Sequence, residues 1–161
     1  IIPKFDKSID DRCTKNKWLK VKKKPNIVIF EGWCVGAIAQ KNKDLNIPVN
    51  KLEKLKDNKR IWRQKVNSEL KKNYKKIFNF IDKLIFLKVP SFKYVIEWRM
   101  LQEKKLRITG KGKKTMTDKE ISNFIMYYER LTKYMLKILP KEADTVIRID
   151  NKHRLKSIKF N

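Results

Sequence analysis

Histidine and cysteine are nearly missing from this chain of 161 residues. His153 is the only histidine, so a His-rich metal site or a His–carboxylate relay cannot be built. Ser–His nucleophilic catalysis would have to run through this one residue near the C-terminus. Cys13 and Cys34 form no CxxC pair, and two cysteines cannot frame a disulfide-dense scaffold. Reduced thiols in a cytoplasmic setting are the expectation. The sequence also lacks any run of about 18 apolar residues, which excludes a helical membrane span. No basic head followed by an apolar stretch of the secretory kind is present. The chain opens on Ile1-Ile2-Pro3 without methionine, as a processed or truncated piece does.

Acidic residues are scarce as well: 17 against 42 Lys and Arg, a formal net charge of +25. Such an excess invites a nucleic-acid reading, because clustered cations release counterions from a phosphate backbone. Two features weigh against it. Only eight of the basic residues are arginine, whereas base-edge and bidentate phosphate recognition favour the guanidinium fork. The lysines are dispersed over separate segments (22–24, 71–76, 104–105, 113–114) and read as solvated helix faces. No specific nucleic acid is expected, although a basic nucleic-acid-binding protein stays as the alternative class. Oligomeric state is left open.

What is present alternates between short apolar runs and long amphipathic stretches. Asn26-Ile27-Val28-Ile29-Phe30-Glu31-Gly32-Trp33 reads as a strand buried on both faces. It ends in a carboxylate on the sheet edge where open α/β folds bind ligands. Ile61, Trp62, Val66, Leu70, Tyr74, Ile77, Phe78 and Ile81 recur at spacings of three and four and predict one buried helical stripe. Residues 84–87 form a second strand, stopped by Pro90. Ser91 then caps a helix through roughly Arg107, with Phe92, Val95, Ile96 and Met100 inward. After a basic loop at 109–114, Thr117-Asp118-Lys119-Glu120 is a capping box. The helix it opens buries Ile121, Phe124, Ile125, Tyr128, Leu131, Met135 and Leu139, and stops at Pro140. Residues 145–149 are a third strand. Strands joined by helices of this length imply crossovers, hence an α/β fold with a mainly parallel sheet flanked by helices, in one domain.

Four features stand in order: Pro3-Lys4-Phe5-Asp6-Lys7-Ser8 with Asp11-Arg12; Phe30-Glu31-Gly32-Trp33; Trp98-Arg99 with Gln102-Glu103 and Arg107; and the basic loop running into Met116-Thr117-Asp118. Val49-Asn50-Lys51-Leu52, Trp62 and Tyr74 join them. The series resembles the D-glycerate 3-kinase family, which belongs to the P-loop kinases that include uridine kinase, phosphoribulokinase and pantothenate kinase. The resemblance covers almost the whole chain. It implies an ATP- and Mg²⁺-dependent kinase acting on a hydroxyl of a small-molecule acceptor, with D-glycerate as the best guess. It further implies that Glu31 is the Walker B carboxylate that organises Mg²⁺, and that Arg107 meets the transferring phosphoryl group. Asp6, Lys7, Arg12 and Arg99 would sit by the acceptor or the phosphates. Gly110 and Gly112 would let a lid close over ATP.

The residues read by themselves admit plainer roles. Arg99 could pair with Glu103 one turn on, Asn50 could cap the helix after it, and Trp33 and Cys34 could be core. The chain also departs from the family. Only Ile9 and Asp10 separate the Lys-Ser pair from Asp-Arg, which puts acceptor specificity in question. No GxxxxGK[ST] loop occurs, nor does the acidic segment that would supply the catalytic base. The expectation is that residues 1–161 are the C-terminal part of a P-loop kinase domain, incomplete at the N-terminus and inactive by itself.

Overall fold

The chain forms two compact units, Ile1–Gly32 and Trp33–Asn161. A computed structural model describes residues 1–6, 11–109 and 116–161. In the first unit β1 (Phe5–Asp6) pairs antiparallel with β2 (Asp11–Arg12), setting Phe5 opposite Arg12 and Asp6 opposite Asp11. Ile2 bridges Leu19, and the Trp18 indole N–H donates to the Cys13 carbonyl at 2.7 Å.

Residues 27–30 correct the strand expected there. They adopt no strand, and Ile27, Val28, Ile29 and Phe30 are 80%, 76%, 85% and 56% exposed. A strand persists only when its N–H and C=O groups join a ladder. Among the described residues no strand pairs with this run, and its apolar side chains stay largely exposed.

The second unit holds a three-stranded sheet in the order β3 (Ile85–Lys88), β4 (Thr145–Ile149), β5 (Leu155–Phe160). β3 and β4 run parallel, as the intervening helices require, whereas β4 and β5 form an antiparallel hairpin. Of the three strand pairings among the described residues, one is therefore parallel.

Helices α1 (Lys51–Lys56) and α2 (Ile61–Glu69) precede the sheet. α2 continues through a π turn at Leu70–Tyr74 into α3 (Lys75–Phe78). The buried residues of α2 are not the expected apolar ones but Arg63 and Asn67. Ile61, Trp62 and Val66 are 68%, 45% and 47% exposed. Polar partners decide this. Arg63 reaches the Leu45 carbonyl at 2.7 Å and the Asp57 carboxylate at 3.1 Å. Asn67 donates to the Gln40 carbonyl and accepts its N–H. The wide π turn then rotates the apolar side, so Leu70 is 5% exposed while Tyr74 and Ile77 stay half exposed.

Between β3 and β4 the chain forms α4 (Phe92–Thr109) and α5 (Asp118–Glu142). The Thr117–Glu120 capping box forms in both directions, and Pro140 sits inside the last turn of α5, two residues before its end. Ile121, Ile125, Leu131, Met135 and Leu139 are buried as the spacing predicts, whereas Phe124 is 38% exposed. Two clusters result. Ala37, Leu70, Leu131, Met135 and Leu139 pack with Phe86 of the sheet. Phe92, Ile121 and Ile125 pack with Val95, Ile96, Met100 and Met116.

Candidate functional site

Arg99, Glu103 and Arg107 recur at intervals of four on α4, so helical geometry stacks them along one side. Arg99 Nη1 donates to Glu103 Oε2 at 2.6 Å and to Gln102 Oε1 at 3.3 Å. The second Glu103 oxygen accepts the Met116 backbone N–H at 2.7 Å. Arg107 Nη2 donates to the Met116 carbonyl at 2.8 Å and to Asp118 Oδ1 at 3.1 Å. Both main-chain groups of Met116 are thus held by α4, which ties the start of α5 to it. The Met116 N–H, with the Arg99 guanidinium behind it, holds the Glu103 carboxyl below its ordinary range, against the burial that pushes it up. The Arg107 side chain remains 41% exposed, a cation at the surface of this junction. The pairing of Arg99 with Glu103 is the plain role its spacing allows.

In the first unit the ribbon sets Asp6 and Arg12 on neighbouring strands. Arg12 is exposed, and its backbone N–H donates to Asp11 Oδ1 at 2.6 Å. Glu31 is exposed and follows the unpaired run at 27–30. Lys7 lies outside the described residues, as do Gly110, Gly112 and the lysines at 111, 113 and 114. The register sets Asp6 opposite Asp11 and Arg12 opposite Phe5, on opposite faces of the ribbon, so the structure does not bring Asp6 and Arg12 together, whereas Arg99 and Arg107 share one side of α4.

Sequence reasoning missed a hollow of about 320 Å³ at the C-terminal ends of β3 and β4. Lys88, Tyr94, Arg148, Asp150, Asn151 and Lys156 are among its lining. This is the edge at which open α/β sheets take ligands. Its rim combines three cations, one aromatic ring and the turn after β4. In that turn the Asp150 carboxylate accepts the backbone N–H groups of Lys152 and Arg154. The Arg154 N–H leads in holding that carboxyl below its ordinary range. The signal for the hollow was tertiary, since residues near 90 and near 150 meet only once the strands pair.

Asn50 serves as a cap: its carbonyl oxygen accepts the Glu53 N–H at 3.0 Å, and its amide donates to the Met126 carbonyl at 2.8 Å. Behind it the Glu53 carboxylate accepts from Arg130 through both oxygens at 2.7 Å. Trp33 is 46% exposed but anchored, its indole N–H donating to Thr132 Oγ1 at 2.9 Å. Among the described residues no three His, Cys, Asp or Glu side chains gather as a metal cage. Mg²⁺ that travels with nucleotide phosphates needs only one or two protein carboxylates. Glu31 is an exposed carboxylate.

No family model matches the chain. An uncharacterized kinase of Schizosaccharomyces pombe, mug58, is 32% identical over 133 residues, covering 79% of this chain and 46% of that protein. The chloroplastic D-glycerate 3-kinase of Arabidopsis thaliana is 25% identical over 159 residues, or 92% of this chain and 32% of that one. Among solved structures, the D-glycerate 3-kinase from Cryptococcus neoformans var. grubii superposes with a TM-score of 0.77 at 20% identity. That match covers 99% of this chain and 59% of the solved one. The YGR205w protein matches with a TM-score of 0.63 at 25% identity, over 98% of this chain and 56% of that one. These matches define a class, the α/β chains of kinase type. More narrowly, the chain is similar to proteins named as D-glycerate 3-kinases. It spans less than half the length of the curated relatives it matches.

Proposed function

We propose that the chain is part of an ATP-dependent kinase of the P-loop type that phosphorylates a hydroxyl of a small hydroxy acid, D-glycerate first among them. The observation that carries this reading is the 32% identity to a kinase over 79% of the chain. The motif order and the relatives named as D-glycerate 3-kinases support it. In this reading Glu31 holds the Mg²⁺ that accompanies the nucleotide, and that ion supplies charge neutralisation on the phosphates. Arg107, half exposed at the α4–α5 junction, offers its guanidinium to the equatorial oxygens of the transferring group. Catalysis of phosphoryl transfer is mostly positioning and electrostatic stabilisation. Asp6, Lys7, Arg12 and Arg99 orient the acceptor and its carboxylate. With no GxxxxGK[ST] loop among them, the 161 residues turn over no ATP alone.

The test is a chimera in which residues 1–161 replace the matched segment of the Arabidopsis D-glycerate 3-kinase. It should phosphorylate D-glycerate, while Glu31→Gln and Arg107→Ala each reduce kcat by on the order of 10²–10³-fold, as loss of a transition-state donor does. Circular dichroism melts of the chimera and both variants report folding. A folded chimera that keeps full turnover with Glu31→Gln, or that accepts no hydroxy acid, overturns the assignment. Binding of the isolated chain to polynucleotide with site specificity and a steep salt dependence would favour the nucleic-acid class instead.

A further inference from the structure

Four lysines that lie apart in the sequence converge in the fold. Lys88 ends β3, Lys93 stands in the first turn of α4, and Lys133 and Lys137 lie one turn apart on α5. They line one hollow of about 710 Å³. It shares Lys88, Val89 and Pro90 with the smaller hollow at the strand ends. Its walls are α4 and α5 rather than the turn after β4. Among the described residues that line it, none is acidic. A cleft lined by one sign of charge against low-dielectric walls concentrates its field and gathers counter-ions.

The chain's own acids leave that charge partly unanswered. Lys93 and Lys133 each meet a glutamate of their own helix, Glu97 at 3.6 Å and Glu129 at 2.6 Å. Lys88 and Lys137 form no ion pair among the described residues. Lys88 is also half-buried, so water attends it less fully than it does a surface lysine. It stands beside Arg148 in the β3–β4 register, and Lys133 lies four residues before Lys137. Like charges side by side on adjacent strands, or one helical turn apart, repel. An anion bound in the hollow relieves both contacts.

Beneath the lysines the floor is apolar. Phe92 is 7% exposed, and Ile96 and Leu136 are half-buried. The Lys133 ammonium lies 5.7 Å from the centre of the Phe92 ring. Small-molecule pockets fall in this size range and join apolar walls to a few charged groups that fix orientation. Lysine serves a phosphate as a point charge on a flexible stem. We propose that this hollow binds a small amphipathic anion, a phosphate or carboxylate head on an apolar body. The head sits among Lys88, Lys93 and Lys137, and the body lies on Phe92, Ile96 and Leu136. The inference rests on charge and burial in this hollow, and stands whether or not the kinase assignment does.

The probe is octyl phosphate, kept monomeric and titrated into the whole chain by calorimetry, with backbone amide NMR to locate it. Binding should saturate at one molecule per chain and shift the amides of Val89, Ser91, Phe92 and Ile96. Inorganic phosphate, the head alone, and octanol, the body alone, should each bind at least about tenfold more weakly. Lys88→Gln/Lys137→Gln removes the two cations that lack an ion pair and should weaken binding by about tenfold with the circular dichroism melt unchanged. Lys71→Gln/Lys75→Gln removes the same charge from exposed positions elsewhere and should leave the affinity as it is. Equal weakening by both double variants overturns the proposal, since general attraction to a +25 chain would account for it. So does inorganic phosphate that binds as tightly as octyl phosphate, or a titration that never saturates. Binding to vesicles containing phosphatidic acid with none to monomeric octyl phosphate overturns it in favour of a membrane surface.

Discussion

Glutamine at position 103 would test the bracket that holds Arg99 and Arg107 in place. Two donors converge on the Glu103 carboxylate, Arg99 Nη1 at 2.6 Å and the Met116 N–H at 2.7 Å, and each takes one oxygen. Glutamine has nearly the same shape but one oxygen, and the NH₂ in place of the other is itself a donor. One buried donor is then left facing another, which costs about 1–3 kcal/mol. The charge pairing with Arg99 is lost too, but that side chain is 23% exposed against 3% for Glu103, so water replaces part of it. Glu103→Gln should therefore cost about 2–4 kcal/mol, and Glu103→Ala the upper part of about 3–5 kcal/mol. The pH dependence has a definite sign. Because the folded carboxyl is held below its ordinary range, its contribution is complete above the unfolded value near ~4.3. It is lost as pH falls through the folded value. The variant should unfold more easily than the parent at neutral pH, and part of the difference should vanish in acid. Urea titration followed by far-UV circular dichroism at both pH values measures this. A variant within about 0.5 kcal/mol of the parent at neutral pH, the range of ordinary surface substitutions, would refute the reasoning.

Three other substitutions probe the frame around that junction. Gly36 has φ +76, and an added Cβ would stand 2.7 and 2.8 Å from the two Leu84 methyls. Gly36→Ala should cost about 2–4 kcal/mol, read by thermal melt, and Leu84→Ala in the same chain should relieve the steric part. Arg130→Met strips the Glu53 carboxylate of both guanidinium bonds, where the side chains are 11% and 10% exposed, and should cost about 3–5 kcal/mol in urea titration. Glu53, whose burial raises its pKa, is brought below its ordinary range by Arg130 and the Val49 N–H, so Arg130→Met should also leave stability less sensitive to acid. Asn50→Ala removes the α1 cap and the donor to Met126 and should cost about 1–2 kcal/mol.

Local chemistry was legible in the sequence wherever the deciding partners lie within a turn or two. The Thr117–Glu120 capping box, the Asn50 cap and the buried spacing of α5 all depend on residues three or four apart, and they formed as read except at Phe124, which is exposed. The Arg99–Glu103 pair has the same range. Legibility ended where distant partners decide. Arg63 and Asn67 displaced Ile61 and Val66 from the interior because Asp57, Leu45 and Gln40 stood ready to bond them. The second half of the bracket at Glu103 crosses thirteen positions to Met116, a separation at which sequence spacing says nothing about contact. β5 escaped notice for a subtler reason. Leu155, Ile158 and Phe160 lie on a strand whose pairing with β4 shifts register at Arg148/Ile149, and that irregularity breaks the two-residue beat by which strands are found.

Residues 27–30 and the bare face of the sheet share a cause. An apolar pattern records what a segment is suited to bury, and the structure reports what is there to bury it. For α5 the two agree, since the partners of its stripe lie within the second unit. They disagree at Ile27–Phe30, exposed and unpaired, and at Ile85, Leu87, Ile158 and Phe160, paired but uncovered on one face. Exposed apolar surface of this extent is costly in water, at roughly 25 cal/mol for each Å². A charge-only reading of a +25 chain would look for partners among its lysines. The mismatch between pattern and burial points to the uncharged surfaces, where covering these side chains releases the most free energy.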